Sequence, residues 1–278
     1  MLFKKQNCVK CNCEFDSLNR VCPQCGEINQ DLGKHAVGKG VIPLAFPYQI
    51  ACIVLGTFGL ALFSIFFSCI AVIFNVEEPN LTPLVEFGSY ITMFLGVIFL
   101  IVLNREFILK QFGQLWRYAF GICFGIALIG FSYLYGLVLE QFVPNSGVNE
   151  NESIIENLVV NYPILSIIAF GILGPICEEV TFRLGIFSFS TRLNRIAAYF
   201  IACLIFALAH FSWNWITTGD MDALFIELIN LPTYLVAAFI LTLSYDLFGL
   251  PCSMVAHVTN NLYVIITVII AANIQGLI

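Results

Sequence analysis

Beyond residue 46 the chain alternates long apolar runs with short polar breaks. Runs at 48–75, 84–103, 115–139, 161–190, 195–212, 231–248 and 252–275 predict seven helices. At about 1.5 Å of rise per residue, stretches of this length cross a hydrocarbon core of about 30 Å. Residues 221–230, between the fifth and sixth runs, predict a short interfacial helix. Before residue 47 the pattern changes: residues 1–29 are polar and cysteine-rich, and residues 30–46 form a glycine-containing linker with Lys34, His35 and Lys39. The expected fold is therefore all-α and polytopic, with about seven transmembrane helices in a domain at 47–278 and a small N-terminal zinc ribbon.

Composition agrees with this division. The chain has 278 residues, of which 59% are hydrophobic and 11% charged, with mean hydropathy +0.91. These values exclude a soluble domain and make the lipid bilayer the principal partner. A net charge of −6 argues against a nucleic-acid partner.

Where the charges fall predicts orientation. Lys4, Lys5, Lys10, Arg20, Lys34 and Lys39 precede the first run. Arg105, Lys110, Arg117, Arg192 and Arg195 then fall on the side that seven spans share with the tail. The opposite breaks, 76–83, 140–160 and 213–230, hold acids such as Glu77, Glu150, Glu156 and Asp222 and no Lys or Arg. The positive-inside rule puts the N-terminus in the cytosol and the C-terminus outside, in an integral multi-pass protein.

Five of the eleven cysteines lie between Cys8 and Cys25. No secretory signal precedes them, so they belong to a reducing compartment. Cys8/Cys11 and Cys22/Cys25 are two Cys-x-x-Cys knuckles, with Pro23 and Gly26 supplying the second turn; four thiolates so placed bind one structural zinc ion. Cys13 is either a competing ligand or a spare. The ribbon is expected to fold the tail and to offer a docking surface to a cytosolic partner. The six remaining cysteines read as small apolar residues of the spans.

The chemistry concentrates in Glu178-Glu179-Val180-Thr181-Phe182-Arg183, inside an apolar run. Carboxylates at membrane depth cost several kcal/mol unless paired or hydrated, so their presence there points to function. The plain alternative is a helix end entering water. Glu179 and Arg183 stand four apart with the acid N-terminal, the favourable order for an ion pair on one helix face. Glu178 points elsewhere, with no cation nearby in sequence. It lies 14 residues before Arg192, and His210 lies 15 after Arg195. Both therefore sit roughly 20 Å from one surface, and adjacent antiparallel helices bring them level. Phe206, one turn before His210, is placed to pack beneath its ring. His257 and Asn261, also four apart, share a face of the last run; the alternative for this pair is helix-to-helix hydrogen bonding.

This set suits hydrolysis. A buried glutamate acts as general base on water with a histidine sharing the proton, and His257 and Asn261 donate to an oxyanion. A rival chemistry has Glu178, His210 and His257 holding zinc with water as nucleophile.

Glu-Glu-x-x-x-Arg, Phe-x-x-x-His and His-x-x-x-Asn, in this order on three membrane segments over about residues 160–265, resemble the motifs of the CPBP family. That family comprises CAAX prenyl endopeptidases and bacteriocin-processing or immunity proteins. The resemblance implies an intramembrane endopeptidase of glutamate type, with an older description as a metalloprotease. It assigns acid/base catalysis to Glu178 with His210, oxyanion stabilisation to His257 and Asn261, and support to Glu179 and Arg183. Substrates would be peptide tails or membrane-associated, including lipidated, proteins. The ribbon is an addition to the family core, and seven spans stand where the family has eight. The alternatives are a non-enzymatic immunity or scaffolding protein, which would keep its phenotype in Glu178→Gln, and a proton-coupled transporter.

Overall fold

The computed structural model describes residues 5–16, 22–27, 40–42, 44–143, 147 and 149–276. The linker positions Lys34, His35 and Lys39, with Lys4 and Arg20 of the tail, lie outside the described residues.

The tail contains a two-stranded antiparallel sheet, β1 (Lys5–Asn7) against β2 (Glu14–Asp16), with Gln6 opposite Phe15. From Phe46 onward the elements among the described residues are all helices: α1 (Phe46–Phe74), α2 (Leu81–Leu103), α3 (Arg105–Phe112), α4 (Trp116–Phe142), α5 (Glu150–Asn161), α6 (Pro163–Ser190), α7 (Arg195–Ala209), α8 (Trp215–Thr218), α9 (Met221–Phe248) and α10 (Leu250–Ile274). Among the described residues six helices, α1, α2, α4, α6, α9 and α10, are long and apolar enough to span a membrane. The seventh predicted run is α7, apolar but only 15 residues long. It stops at Ala209 because the next turn is used elsewhere: the Ser212 amide donates to the Glu227 carboxylate at 3.1 Å. The protein is an integral multi-pass membrane protein.

Two expectations change. Residues 221–230 are not a separate interfacial helix but the first turns of α9, which runs unbroken through Pro232 with Asp220 as its N-cap. The acidic stretch 140–160, read as a loop, contains α5, capped by the Asn149 side chain accepting from the Glu152 amide.

α6 is the central helix. Its most apolar window is 56% buried, against 11–22% for the other five long helices. α1 and α10 approach it closely. A Cβ on Gly56 of α1 would meet the Thr181 side chain at 1.8 Å, and one on Gly171 of α6 would meet Leu262 of α10 at 2.7 Å. α10 in turn packs on α4 through a small-x-x-x-small pair: Cβ atoms on Gly121 and Gly125 would lie 2.7 and 2.6 Å from the Cβ atoms of Val255 and Thr259. Such contacts replace hydrophobic driving force where lipid is as apolar as the helix surface. Gly125→Val should therefore push α10 off α4. Overpacking of this kind costs about 1–3 kcal/mol, and a lowered thermal midpoint in detergent is the expected reading.

Hydrogen bonds fix which helix ends share a face. On one side the Gly40 amide donates to the Asp246 carbonyl at 2.9 Å, and Gln111 joins the Gly40 carbonyl to the Leu250 amide at 2.8 and 2.9 Å. Arg117 there donates to the Phe248 carbonyl and Arg195 Nε to Asp246 at 2.7 Å. On the other side Asn149 reaches Tyr234 at 2.8 Å, Asn214 reaches Glu150 at 2.6 Å, and Glu227 accepts from the Glu150 amide at 3.2 Å as well as from Ser212.

Candidate active site

Helix α6 carries Glu178 and Glu179 in a short α-helical segment, Gly174–Glu179, set between two π-helical stretches, Ile167–Leu173 and Val180–Phe187. Wider turns of this kind rotate the residues that follow, and they recur at functional sites. The sequence supplies a local cause. Pro175 has no amide hydrogen, and the Gly174 amide is drawn back to the Ala169 carbonyl. The Phe170 carbonyl thus loses both nearby helical donors. Asn261 of α10 replaces them, donating from Nδ2 at 3.1 Å. One predicted site residue therefore also joins α10 to the opened turn of α6.

Glu179 is the held acid, as its spacing predicts. It is fully buried and accepts from Arg183 Nε at 2.9 Å and Nη2 at 3.3 Å, while Arg183 Nη1 donates to Thr242 of α9 at 3.0 Å. The guanidinium lies over the Phe206 ring, 5.3 Å from its centroid. Glu179 Oε1 is also 3.0 Å from His257 Nδ1. A carboxylate paired with arginine only accepts, so His257 carries its hydrogen on Nδ1.

His210 is constrained in the same sense. Its Nδ1 is 2.9 Å from the Phe206 carbonyl, again an acceptor, so Nδ1 is the protonated nitrogen. The ring is stacked between Phe206 and Tyr234, with centroids 4.5 and 4.9 Å away. Both histidines consequently turn Nε2 toward one atom, Glu178 Oε2, at 3.5 Å from His210 and 3.7 Å from His257. These separations exceed hydrogen-bond length, and the oxygen is buried without a hydrogen-bond partner.

Glu178, His210, His257 and Asn261 line one cavity of about 320 Å³. This is far above the roughly 15 Å³ that a single water needs. Its walls are mostly apolar, from Leu128, Phe170, Leu241 and Val264 among others, and its rim carries Asn151, Glu152 and Glu156 of α5. Burial pushes the Glu152 carboxyl above its ordinary range, and the charge of Glu156 adds to this. Glu179 and Arg183 lie behind the wall. Tyr234 and Thr242 escaped the sequence reading because an isolated Tyr or Thr inside an apolar run carries no signal of its own.

The tail brings a second group together. The sulfurs of Cys8, Cys11, Cys22 and Cys25 all lie within 4.8 Å of one another. Two pairs, Cys8/Cys25 and Cys11/Cys22, stand at 3.5 Å, close to the roughly 3.8 Å edge of a tetrahedron with bonds of about 2.3 Å. Burial pushes the Cys22 thiol up, but the amides of Gln24 and Cys25 outweigh this and bring it down to about 6. The set can bind a metal ion. Cys13 stands outside it, its thiol directed to the Glu14 carbonyl.

Fold and site together define a multi-pass helical membrane protein with a carboxylate and two imidazoles converging in a buried cavity. Residues 160–263 match the family model described as Type II CAAX prenyl endopeptidase Rce1-like. The matched segment spans α6 to the middle of α10, carries all three motifs, and bears out the resemblance to the CPBP family; the family implies protease activity on membrane-associated peptide substrates. No curated protein and no solved structure matches the chain.

Proposed function

We propose that the chain is an intramembrane endopeptidase in which Glu178 and His210 activate water. The observation that carries this reading is the approach of two Nε2 atoms to one partnerless carboxylate oxygen. Bare Nε2 and carboxylate oxygen are all acceptors, so a proton or a water must mediate between them. That arrangement suits a group that takes and returns a proton.

Charge balance assigns His257. Glu178 and Glu179 face one arginine in the buried cluster, leaving one uncompensated negative charge. A proton on His257 Nε2 cancels it, with Nδ1 still bonded to Glu179, and provides an N–H donor toward the cavity. Water then adds to the scissile carbonyl carbon as its proton passes to Glu178. The oxyanion accepts from His257 Nε2–H and the second Nδ2–H of Asn261. Glu178 returns its proton to the departing nitrogen as the C–N bond breaks, leaving a carboxylic acid and an amine.

The donor geometry favours this over a zinc-bound water. Among the described residues only the four cysteines form a set of three or more ligand atoms mutually within 4.8 Å. Glu178, His210 and His257 do not close into such a set. We assign zinc to the cysteines alone as a structural ion, and place the tail in the cytosol with Arg105, Lys110, Arg117, Arg192 and Arg195. The same ribbon offers a surface for a cytosolic partner.

One measurement separates the two chemistries. The full chain should bind about one zinc ion, the Cys11→Ser/Cys22→Ser variant almost none, and both should cleave an internally quenched peptide in proteoliposomes. A variant that kept its zinc, and lost cleavage when it was chelated away, would overturn the glutamate mechanism.

A further inference from the structure

Which face of the membrane the cavity opens on follows from its depth profile. Along α6 the lining residues are Phe170, Gly174 and Glu178, from the Pro163 end inward; along α10 they run from His257 to Val268, toward the Ile274 end. His210 closes the end of α7, and the rim belongs to α5. Every one of these directions leads to the face where Asn149, Ser212 and Glu227 meet. The other direction is sealed. Below Glu178, the side chains of Glu179, Arg183, Ser188, Thr242 and Tyr245 are fully buried, and the Tyr245 hydroxyl is bonded to Ser188 at 2.9 Å and to the Ile42 amide at 3.0 Å.

Charge identifies the two faces. The sealed face carries Arg105, Lys110, Arg117, Arg192 and Arg195, and the chain enters it from the cysteine-bearing tail at Gly40. The open face has no Lys or Arg between residues 75 and 81, 149 and 162, or 210 and 230, and holds Glu77, Glu78, Glu150, Glu152, Glu156, Asp220, Asp222 and Glu227. By the positive-inside rule the open face is extracytosolic.

We infer that the cavity takes its substrate from the side of the membrane opposite the cysteine tail, as an extracytosolic peptide segment that is neutral or basic. The charge preference has its own cause. Among the described residues the acids and imidazoles on the cavity wall are Glu152, Glu156, Glu178, His210 and His257, beside the neutral phenols of Tyr90 and Tyr234, with no lysine or arginine to receive a substrate carboxylate. An acidic segment would add negative charge to a desolvated rim that already repels it. The inference rests on the protease reading for its substrate and on charge and geometry for its side.

Labelling and cleavage test the two parts separately. Ser153→Cys, exposed on α5, and Gly113→Cys, exposed after α3, are introduced singly into the full chain. Each is treated with a membrane-impermeant maleimide in intact cells and in inverted vesicles, and the modified sites are read by mass spectrometry. Ser153→Cys should react only in cells and Gly113→Cys only in inverted vesicles; the reverse pattern overturns the proposal. In proteoliposomes of orientation fixed by the same labelling, quenched peptides of neutral, basic and acidic sequence are added outside. Cleavage should require α5 to face outward, with acidic peptides at least tenfold slower, and Glu152→Gln/Glu156→Gln should narrow that gap. Cleavage confined to the tail-outward orientation, or no discrimination by charge, overturns the proposal alone. No cleavage in either orientation removes the protease reading, and the proposal with it.

Discussion

Glu178→Gln should abolish peptide cleavage while leaving the protein inserted and as thermally stable as the parent. The substitution keeps shape and removes only the ability to accept and return a proton. General acid–base catalysis contributes about 10²–10⁴-fold, and Glu178 is asked to provide both halves, so a loss at the upper end, about 10⁴-fold, is expected. Stability should hold because Glu178 Oε2 has no hydrogen-bond partner to lose. An amide nitrogen at that position would even gain an acceptor in the bare His210 Nε2, 3.5 Å away. The assay is turnover of a quenched peptide in proteoliposomes, paired with a thermal scan in detergent. Full activity in Glu178→Gln would remove the carboxylate from the chemistry; a scaffolding or immunity protein would show no turnover in either form and an unchanged phenotype.

The spans and the three motifs were legible because they depend on period and spacing, which sequence records directly. Six of the seven predicted runs are long helices, and the depth match between Glu178 and His210 appears as a 3.5 Å approach. Phe206 does pack against His210, as their spacing of one turn predicts. What escaped is set by partners distant in sequence. α5 was hidden because its polar N-terminal turn resembles a solvated loop, and its Leu158 and Val159 are buried only by contact with other helices. The π-helical turns of α6 were hidden because Pro175 alone predicts a kink, not the path of the Phe170 carbonyl to Asn261. The place of His257 was only half legible. Its spacing to Asn261 fixed a shared helix face, but its bond to Glu179 depends on how α10 lies along α6.

That bond ties the proposed acid/base group to the ion pair behind it. His257 touches Glu179 through Nδ1 and faces Glu178 through Nε2, so any rotation of Glu179 is transmitted to the cavity. In the proposed mechanism the two glutamates, adjacent in sequence, thus divide into one group that exchanges a proton and one that fixes the imidazole beside it. Such a division needs Glu179 to be rigid. Full burial, two bonds from Arg183 and one contact with His257 make it so.

Arg183→Ala should therefore be the most destabilising single change in the cluster. It leaves the Glu179 carboxylate buried without its cation, removes the bond to Thr242 at 3.0 Å, and opens a void beneath the Phe206 ring. Breaking a buried ion pair from one side costs about 3–5 kcal/mol, enough to deplete folded protein and lower its thermal midpoint sharply. Replacing both partners is different, because the desolvation penalty of two charges disappears together with their attraction. Glu179→Gln/Arg183→Met should recover a large part of the lost stability but little of the activity, since a neutral amide accepts more weakly than a carboxylate from His257 Nδ1–H and holds the imidazole less firmly. Thermal midpoints of the two variants and the parent, read beside turnover, check this order. A double variant no more stable than Arg183→Ala would mean that packing of the arginine stem, not the charge left behind on Glu179, sets the cost.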